Sequence, residues 1–222
     1  MNNNPTNIVV FDLDGTLIDG DSTSVWINQT LIKFPIRAAI AILTLPIILP
    51  MLAFINTRHR AASFVLWLTT KNMTQDTLIT SFNNFAEKLA NGKMKLKWRK
   101  SGLATLKQYQ KDGAFIIIVT ASPEWLASAL FKAIDCNAVV VGSTLKMSKG
   151  AWVGDFHCSH KAKCSRLEEL GYGTQWASVY TDSPDDIPLL MQTNEPNVVN
   201  CKNKSDLKKF QRAVPRYQSI IW

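Results

Sequence analysis

The chain has 222 residues, 46% of them hydrophobic and 19% charged, a composition that describes a folded body and excludes a disordered one. Its 25 Lys and Arg against 17 Asp and Glu leave a net charge of +8, which favours anionic partners, whether nucleic acid, phosphorylated metabolites or an acidic lipid surface, with a merely basic surface as the alternative. Cys136, Cys158, Cys164 and Cys201 show neither CxxC spacing nor a paired pattern, so reduced thiols are expected rather than a disulfide framework or a zinc site.

The opening "MNNNPTN" lacks the basic-then-apolar layout of a signal peptide, and the catalytic body is expected to face the cytoplasm. "NIVVFDLD" (7–14) reads as a strand ending in the carboxylates Asp12 and Asp14. About a hundred residues without a strand-like run follow. They include the uncharged "AAIAILTLPIILPMLAFI" (38–55) and an amphipathic helix in "QDTLITSFNNFAEKLAN", with Leu78, Phe82, Phe85 and Leu89 on one face. Further strands are expected in "AFIIIVT" (114–120), "NAVVVG" (137–142), "WASVYTD" (176–182) and "PNVVNC" (196–201). In "SPEWLASALFKAID" Ser122 is expected to cap a helix with Pro123 as its first residue. "VGSTLKMSKGAWVGDF" reads as a β-hairpin or flap beside the sheet, and "KAKCSRLEELG" as a helix stopped at Gly171.

Strands alternating with helices predict an α/β fold, a doubly wound, Rossmann-like parallel sheet. Residues 1–19 and 96–222 would form the core, and 20–95 a helical cap inserted after the first strand. Ligands of such sheets bind beyond the carboxyl ends of the strands. Asp12 and Asp14, Thr120 and Ser122, and Asp182, Asp185 and Asp186 all fall there. Carboxylates gathered at one edge repel one another unless a cation lies among them, and hard oxygen donors point to Mg²⁺. A Thr/Ser pair beside a helix start can hold phosphate oxygens.

"DLDGT" (12–16), "TAS" (120–122), a lysine in "HKAKCSRLEEL" and "YTDSPDDIPLL" (180–190) resemble, in order and spacing, the four motifs of the haloacid dehalogenase superfamily of phosphatases. The resemblance implies that Asp12 is a nucleophile forming an aspartyl-phosphate and that Asp14 is the general acid and base. It also implies that Asp12, the Asp14 carbonyl and Asp182 hold Mg²⁺, with Asp186 ordering metal-bound water. Thr120 and the Ala121–Ser122 segment would bind the phosphoryl group. Both Lys161 and Lys163 are candidates for the motif lysine. Lys163 is preferred because apolar Leu167 follows four residues later. Asp185 stands where relatives often carry Asn. Asp21 is either a substrate-facing acid or a helix cap.

As one helix, 38–55 would be roughly 27 Å long, near the thickness of a bilayer's hydrocarbon, but Pro46 and Pro50 are expected to kink or break it. A single crossing would put Asp12 and Asp182 on opposite sides, so the segment is read as a re-entrant or interface-lying helical hairpin, with a cap core packed in protein as the alternative. Together with "FVLWLTT" the segment is similar to that of phosphatidylglycerophosphatase C. The implied activity is dephosphorylation of phosphatidylglycerophosphate to phosphatidylglycerol, on the cytoplasmic side of a bacterial inner membrane, with Arg58 and Arg60 as headgroup clamp or interface anchors. The alternatives are a soluble, cytoplasmic phosphomonoesterase of phosphoserine-phosphatase type and, more remotely, an inactive membrane interaction module. No nucleic acid is expected as partner.

Overall fold

A computed structural model describes residues 7–222. Its centre is a six-stranded parallel sheet in the order β3-β2-β1-β6-β7-β8, formed by β1 (Ile8–Phe11), β2 (Phe115–Pro123), β3 (Val139–Ser143), β6 (Trp176–Thr181), β7 (Thr193–Val199) and β8 (Gln218–Ile220). Successive strand residues point to opposite faces. Val9 and Phe11 enter one apolar cluster and Ile8 and Val10 the other. The first cluster packs under α5 (Lys100–Lys111) and α6 (Glu124–Ala133); the second packs under α7 (Lys161–Glu169) and α9 (Lys204–Ala213). Covering both faces is what makes these strands near-continuous apolar runs, and the doubly wound α/β expectation holds.

Strand order reverses around β1, which lies between β2 and β6. That reversal opens a crevice at the carboxyl ends of β1 and β6, where neighbouring connections leave toward opposite faces. Asp12 and Asp182 are the first residues past those two strands.

Between β1 and α5 the chain forms four helices: α1 (Ser22–Leu31), α2 (Pro35–Ala53), α3 (Ile55–Thr70) and α4 (Gln75–Ala90). Leu78, Phe82, Phe85 and Leu89 of α4 are buried as their spacing predicts, and they enter the same cluster as the sheet residues Val9 and Phe11. The hairpin of β4 (Leu145–Ser148) and β5 (Ala151–Gly154) packs on α3. There the Thr70 hydroxyl donates to the Trp152 carbonyl at 3.1 Å and accepts from the Trp152 N–H at 2.9 Å.

Two local expectations are corrected. Helix α2 runs through Pro46 and Pro50, and the chain turns instead at Phe54, whose backbone is extended (φ −96°, ψ 128°). Proline removes an N–H donor but keeps a helical φ, and the exposed position of the helix lets water meet a released carbonyl. Helix α6 begins at Glu124 with Pro123 as its cap residue, because Ser122 still belongs to β2 and its hydroxyl is engaged in the crevice. The carboxyl-terminal edge strand β8 was not anticipated; three residues with a single apolar one carry no readable period.

Candidate active site

Four chain segments converge in the crevice. Asp12 is 7% exposed, and its Oδ1 accepts from Lys163 Nζ at 2.7 Å. The same ammonium donates to Asp186 Oδ2 at 2.8 Å, which also accepts from the Thr181 hydroxyl at 2.8 Å. Thr16 links the first and fourth motifs: its hydroxyl lies 3.1 Å from Asp182 Oδ1 and 3.4 Å from Asp12 Oδ2, and it accepts from the Asp182 N–H at 3.0 Å. Lys161, the other candidate, is exposed, whereas Lys163 is buried with Leu167 one turn further on.

Asp14 turns toward the second motif and α1. Its Oδ2 accepts from the Ser122 hydroxyl at 2.5 Å and its Oδ1 from the Ser22 N–H at 2.7 Å. Thr23 Oγ1 lies 2.6 Å from Ser122 Oγ. Thr120 is buried, its hydroxyl accepting the Ser122 N–H at 3.1 Å, and the Ala121 carbonyl accepts from Ser143 at 2.7 Å. Ser122 thus bonds to Asp14 through its side chain, a role its motif position alone does not reveal.

Asp21 caps α1, accepting the Ser24 N–H at 2.7 Å, while also lining the cavity. Arg58 lines the cavity, but Arg60 is exposed and absent from its wall. Two residues apart on a helix lie about 200° apart around the axis, so a clamp using both arginines does not form.

Electrostatics show how crowded the negative charge is. Burial raises the Asp12 carboxyl well above the ordinary carboxylate range, against the pull of Lys163 and with the push of Asp186 and Asp182. Burial opposes charge on Lys163, but Asp12 and Asp186 outweigh it and hold the ammonium protonated. Burial also raises Asp182. It lifts Asp14 to about 6, the Ser122 hydrogen bond working against the shift.

Among the described residues no three His, Cys, Asp or Glu side chains are gathered closely enough to hold a metal ion by themselves. The donor set implied by the motifs is of another kind, two carboxylates and the Asp14 backbone carbonyl. Two carboxylates, Asp12 and Asp186, share one buried ammonium, Asp182 is tied to the same cluster through Thr16, and Asp186 Oδ1 is buried without a hydrogen-bond partner among the described residues. These all-oxygen donors, short of positive charge, fit a hard divalent cation such as Mg²⁺.

Gly15 is required where it stands. Its φ is +81°, and a β-carbon there would fall on the Asp182 carboxylate. Gly15→Ala is expected to destabilise the fold by about 2 kcal/mol or more through strain and displacement of Asp182. Denaturant titration checks this, and a midpoint equal to the parent's would refute it.

The chain belongs to the haloacid dehalogenase-like hydrolase family, whose model matches residues 9–191. In fold it is similar to a Bordetella pertussis Tohama I protein of unknown function (19% identity, 97% of this chain and 99% of that one, TM-score 0.75). It is also similar to a phosphoserine phosphatase solved as a phospho-aspartyl intermediate analogue (14%, 97% and 92%, TM-score 0.60), and to cytosolic 5′-nucleotidase IIIB bound to cytidine (12%, 97% and 81%, TM-score 0.64).

Thr16, Thr181, Ser22, Thr23, His157 and His160 were not singled out as site residues in the sequence. Thr16 sits inside the first motif and was reachable from it. The hydroxyls of α1 and the two histidines carry no periodic or spacing signal.

Proposed function

We propose that the protein is a Mg²⁺-dependent phosphatase working through an aspartyl-phosphate, and that its substrate is a membrane phospholipid monophosphate, phosphatidylglycerophosphate in the first place. The observation that carries the lipid reading is α2. Ile36, Leu43 and Ile47 are 77%, 78% and 66% exposed, with Ile42, Leu49 and Phe54 also bare. Isolated exposed apolar residues are ordinary, but a contiguous array of this kind marks an interaction surface. Leu45 and Ile48 of the same helix line the cavity of about 630 Å³ that contains Asp12, so an acyl chain and a phosphate could be served at once. Lys33, Arg37 and Arg60 flank the apolar run 38–55 and suit an anionic leaflet. Among the described residues no helix is long and apolar enough to cross a membrane, and a hairpin lying in the interface at the cytoplasmic side of an inner membrane needs none.

The chemistry follows from the side chains. Lys163 keeps Asp12 oriented and offsets charge as an Asp12 oxygen bonds to phosphorus and the phosphorus–alkoxide bond breaks. Asp14, aligned by Ser122 and the Ser22 N–H, gives its proton to the departing alkoxide. It then takes a proton from the water that attacks the acyl phosphate, freeing Asp12 and inorganic phosphate. Thr120, which lines the cavity, would meet phosphoryl oxygens. Asp12, Asp182 and the Asp14 carbonyl would hold Mg²⁺, with Asp186 behind them; when bound, it supplies charge neutralisation toward the phosphoryl oxygens.

With Asp14 at about 6, its acid form is lost as pH rises through that value. The rate of transfer from alkyl phosphates is expected to fall above pH 6. In Asp14→Asn that rate drops about 100-fold for an alkyl phosphate and far less for p-nitrophenyl phosphate, whose leaving group needs no proton. Rapid-quench measurement of the transfer step with both substrates checks this; equal losses would remove Asp14 as the acid.

A second reading keeps the chemistry with a small soluble phosphomonoester, and the likeness in fold to phosphoserine phosphatases favours it. A panel of phosphatidylglycerophosphate, phosphatidic acid and phosphoserine, with and without detergent, separates the two. Good turnover of phosphoserine with phosphatidylglycerophosphate micelles untouched would end the lipid reading. An inactive module would release no phosphate from any of them.

A further inference from the structure

Among the cavity side chains that take no part in the chemistry above are Arg58 from α3, His157 and His160 from the segment between β5 and α7, and Asp185 from the turn after β6. Asp185 joins two of them. Its Oδ2 lies 3.4 Å from Arg58 Nη1, and its Oδ1 lies 3.1 Å from His160 Nε2. A carboxylate lining a phosphate site repels substrate unless its charge is met, and here each oxygen faces a basic group. The other carboxylate of this segment, Asp155, is paired with Lys146 at 2.8 Å.

His157 is fixed from the second motif. Its Nδ1 lies 3.3 Å from Ser143 Oγ, which donates to the Ala121 carbonyl and accepts the Cys158 N–H at 3.0 Å. A hydroxyl has one hydrogen, so His157 Nδ1 is the donor. His160 adopts φ 52°, ψ −133°, a conformation that favours glycine and costs a side-chain-bearing residue about 1–3 kcal/mol. Strain of that size persists where the surroundings over-determine a position, as at binding sites. The second ring nitrogen of each histidine has no hydrogen-bond partner among the described residues.

We infer that Arg58, His157 and His160, organised by Asp185, form a subsite for a second anionic group carried by the substrate's leaving alcohol. The group is a carboxylate in a small metabolite or a phosphodiester in a lipid headgroup. An imidazolium donates from both nitrogens, so each histidine can hold its protein partner and the anion together. Burial, then the positive fields of His160, Arg58, His59 and Lys163, hold the His157 pKa below its usual value; an anion among these groups relieves that repulsion. Asp185 is a positioning residue here and touches no reacting atom. The inference rests on the phosphatase reading for the direction in which the substrate lies.

The test compares kcat/KM for two matched pairs. Phosphoserine and ethanolamine phosphate differ by one carboxylate; phosphatidylglycerophosphate and phosphatidic acid, in the same micelles, differ by a phosphodiester-linked headgroup. The native protein is expected to prefer the two-anion member of one pair, which identifies the source. His160→Gln and Asp185→Asn should each cut that ratio about tenfold. Misfolded protein lowers both values together and leaves the ratio alone. No preference in either pair, or ratios that neither variant moves, would overturn the subsite. Calorimetric titration of Asp12→Asn with the same four compounds reads the subsite without turnover. Preference in binding without phosphate release by the native chain would therefore sink the phosphatase reading and spare the subsite.

Discussion

Asp12→Asn is expected to lower phosphate release by about four orders of magnitude, roughly 5 kcal/mol of transition-state stabilisation. The size follows from the geometry. Asp12 is the carboxylate held between the Lys163 ammonium at 2.7 Å and the Thr16 hydroxyl at 3.4 Å, at the rim where the strand order reverses. Asp14 is tied to Ser122 and Ser22, Asp186 to Lys163 and Thr181, and neither is oriented to replace it. Asparagine keeps the volume and the oxygen that accepts from Lys163, while Thr16 still has Asp182 to donate to, so the variant should fold. What it lacks is a nucleophilic oxygen that can form an acyl phosphate. Acid-quenched mass spectrometry of the native protein should catch a phosphorylated peptide containing Asp12, absent from the variant. If Asp12→Asn turns over within tenfold of the parent, water attacks phosphorus directly and the covalent route is wrong.

How far the sequence carried this reading differs from one feature to the next. The catalytic carboxylates were legible because a parallel sheet buries its strands on both faces and releases polar residues only at their ends. Acidic residues directly after "IVVF" and "WASVYT" therefore had one place to go. The choice of Lys163 over Lys161 was legible through Leu167, since a lysine one turn before a buried leucine shares its inward face. Hydropathy disclosed the apolar run of α2 but not where it turns. Proline keeps a helical φ, and the chain reverses at Phe54, where no turn-favouring residue stands. The partnership of Asp185 with Arg58 and His160 was out of reach. It joins three segments through side chains whose meeting depends on how α3 sits over the sheet, a tertiary fact with no local signature. Ser122 is the instructive case. As a helix cap it obeyed a sound local rule, yet the hydrogen bond to Asp14 engages its hydroxyl instead, tertiary context overriding local preference.

Lys163→Met is the second large effect, and it falls on stability as well as activity. Lys163 is 4% exposed and is paired with Asp12 and Asp186, themselves 7% and 1% exposed. Removing one member of a buried ionic cluster strands the others, a loss of about 3–5 kcal/mol. Its pH dependence has a definite sign. The folded-state pKa of Lys163 is raised above the ordinary lysine value of about 10.5. The stabilisation it gives is therefore complete below about 10.5 and declines only as pH climbs beyond that. Between pH 4 and 8 the lysine itself adds no slope. In the variant, Asp12 loses its ammonium partner, and burial already raises its folded pKa above 3.8. A group raised in this way folds most favourably in its protonated form, so parent and variant alike are most stable below about pH 4 and weaken as pH rises toward 8. Loss of Lys163 raises the Asp12 carboxyl further still, so the deficit of Lys163→Met should stay level from pH 4 to about 8 and widen only above that, in urea titrations at fixed divalent-cation concentration, with the slope m unchanged. A deficit that does not grow above pH 8 would mean that Lys163 does not hold the Asp12 charge, and the charge arrangement on which the chemistry depends would have to be redrawn.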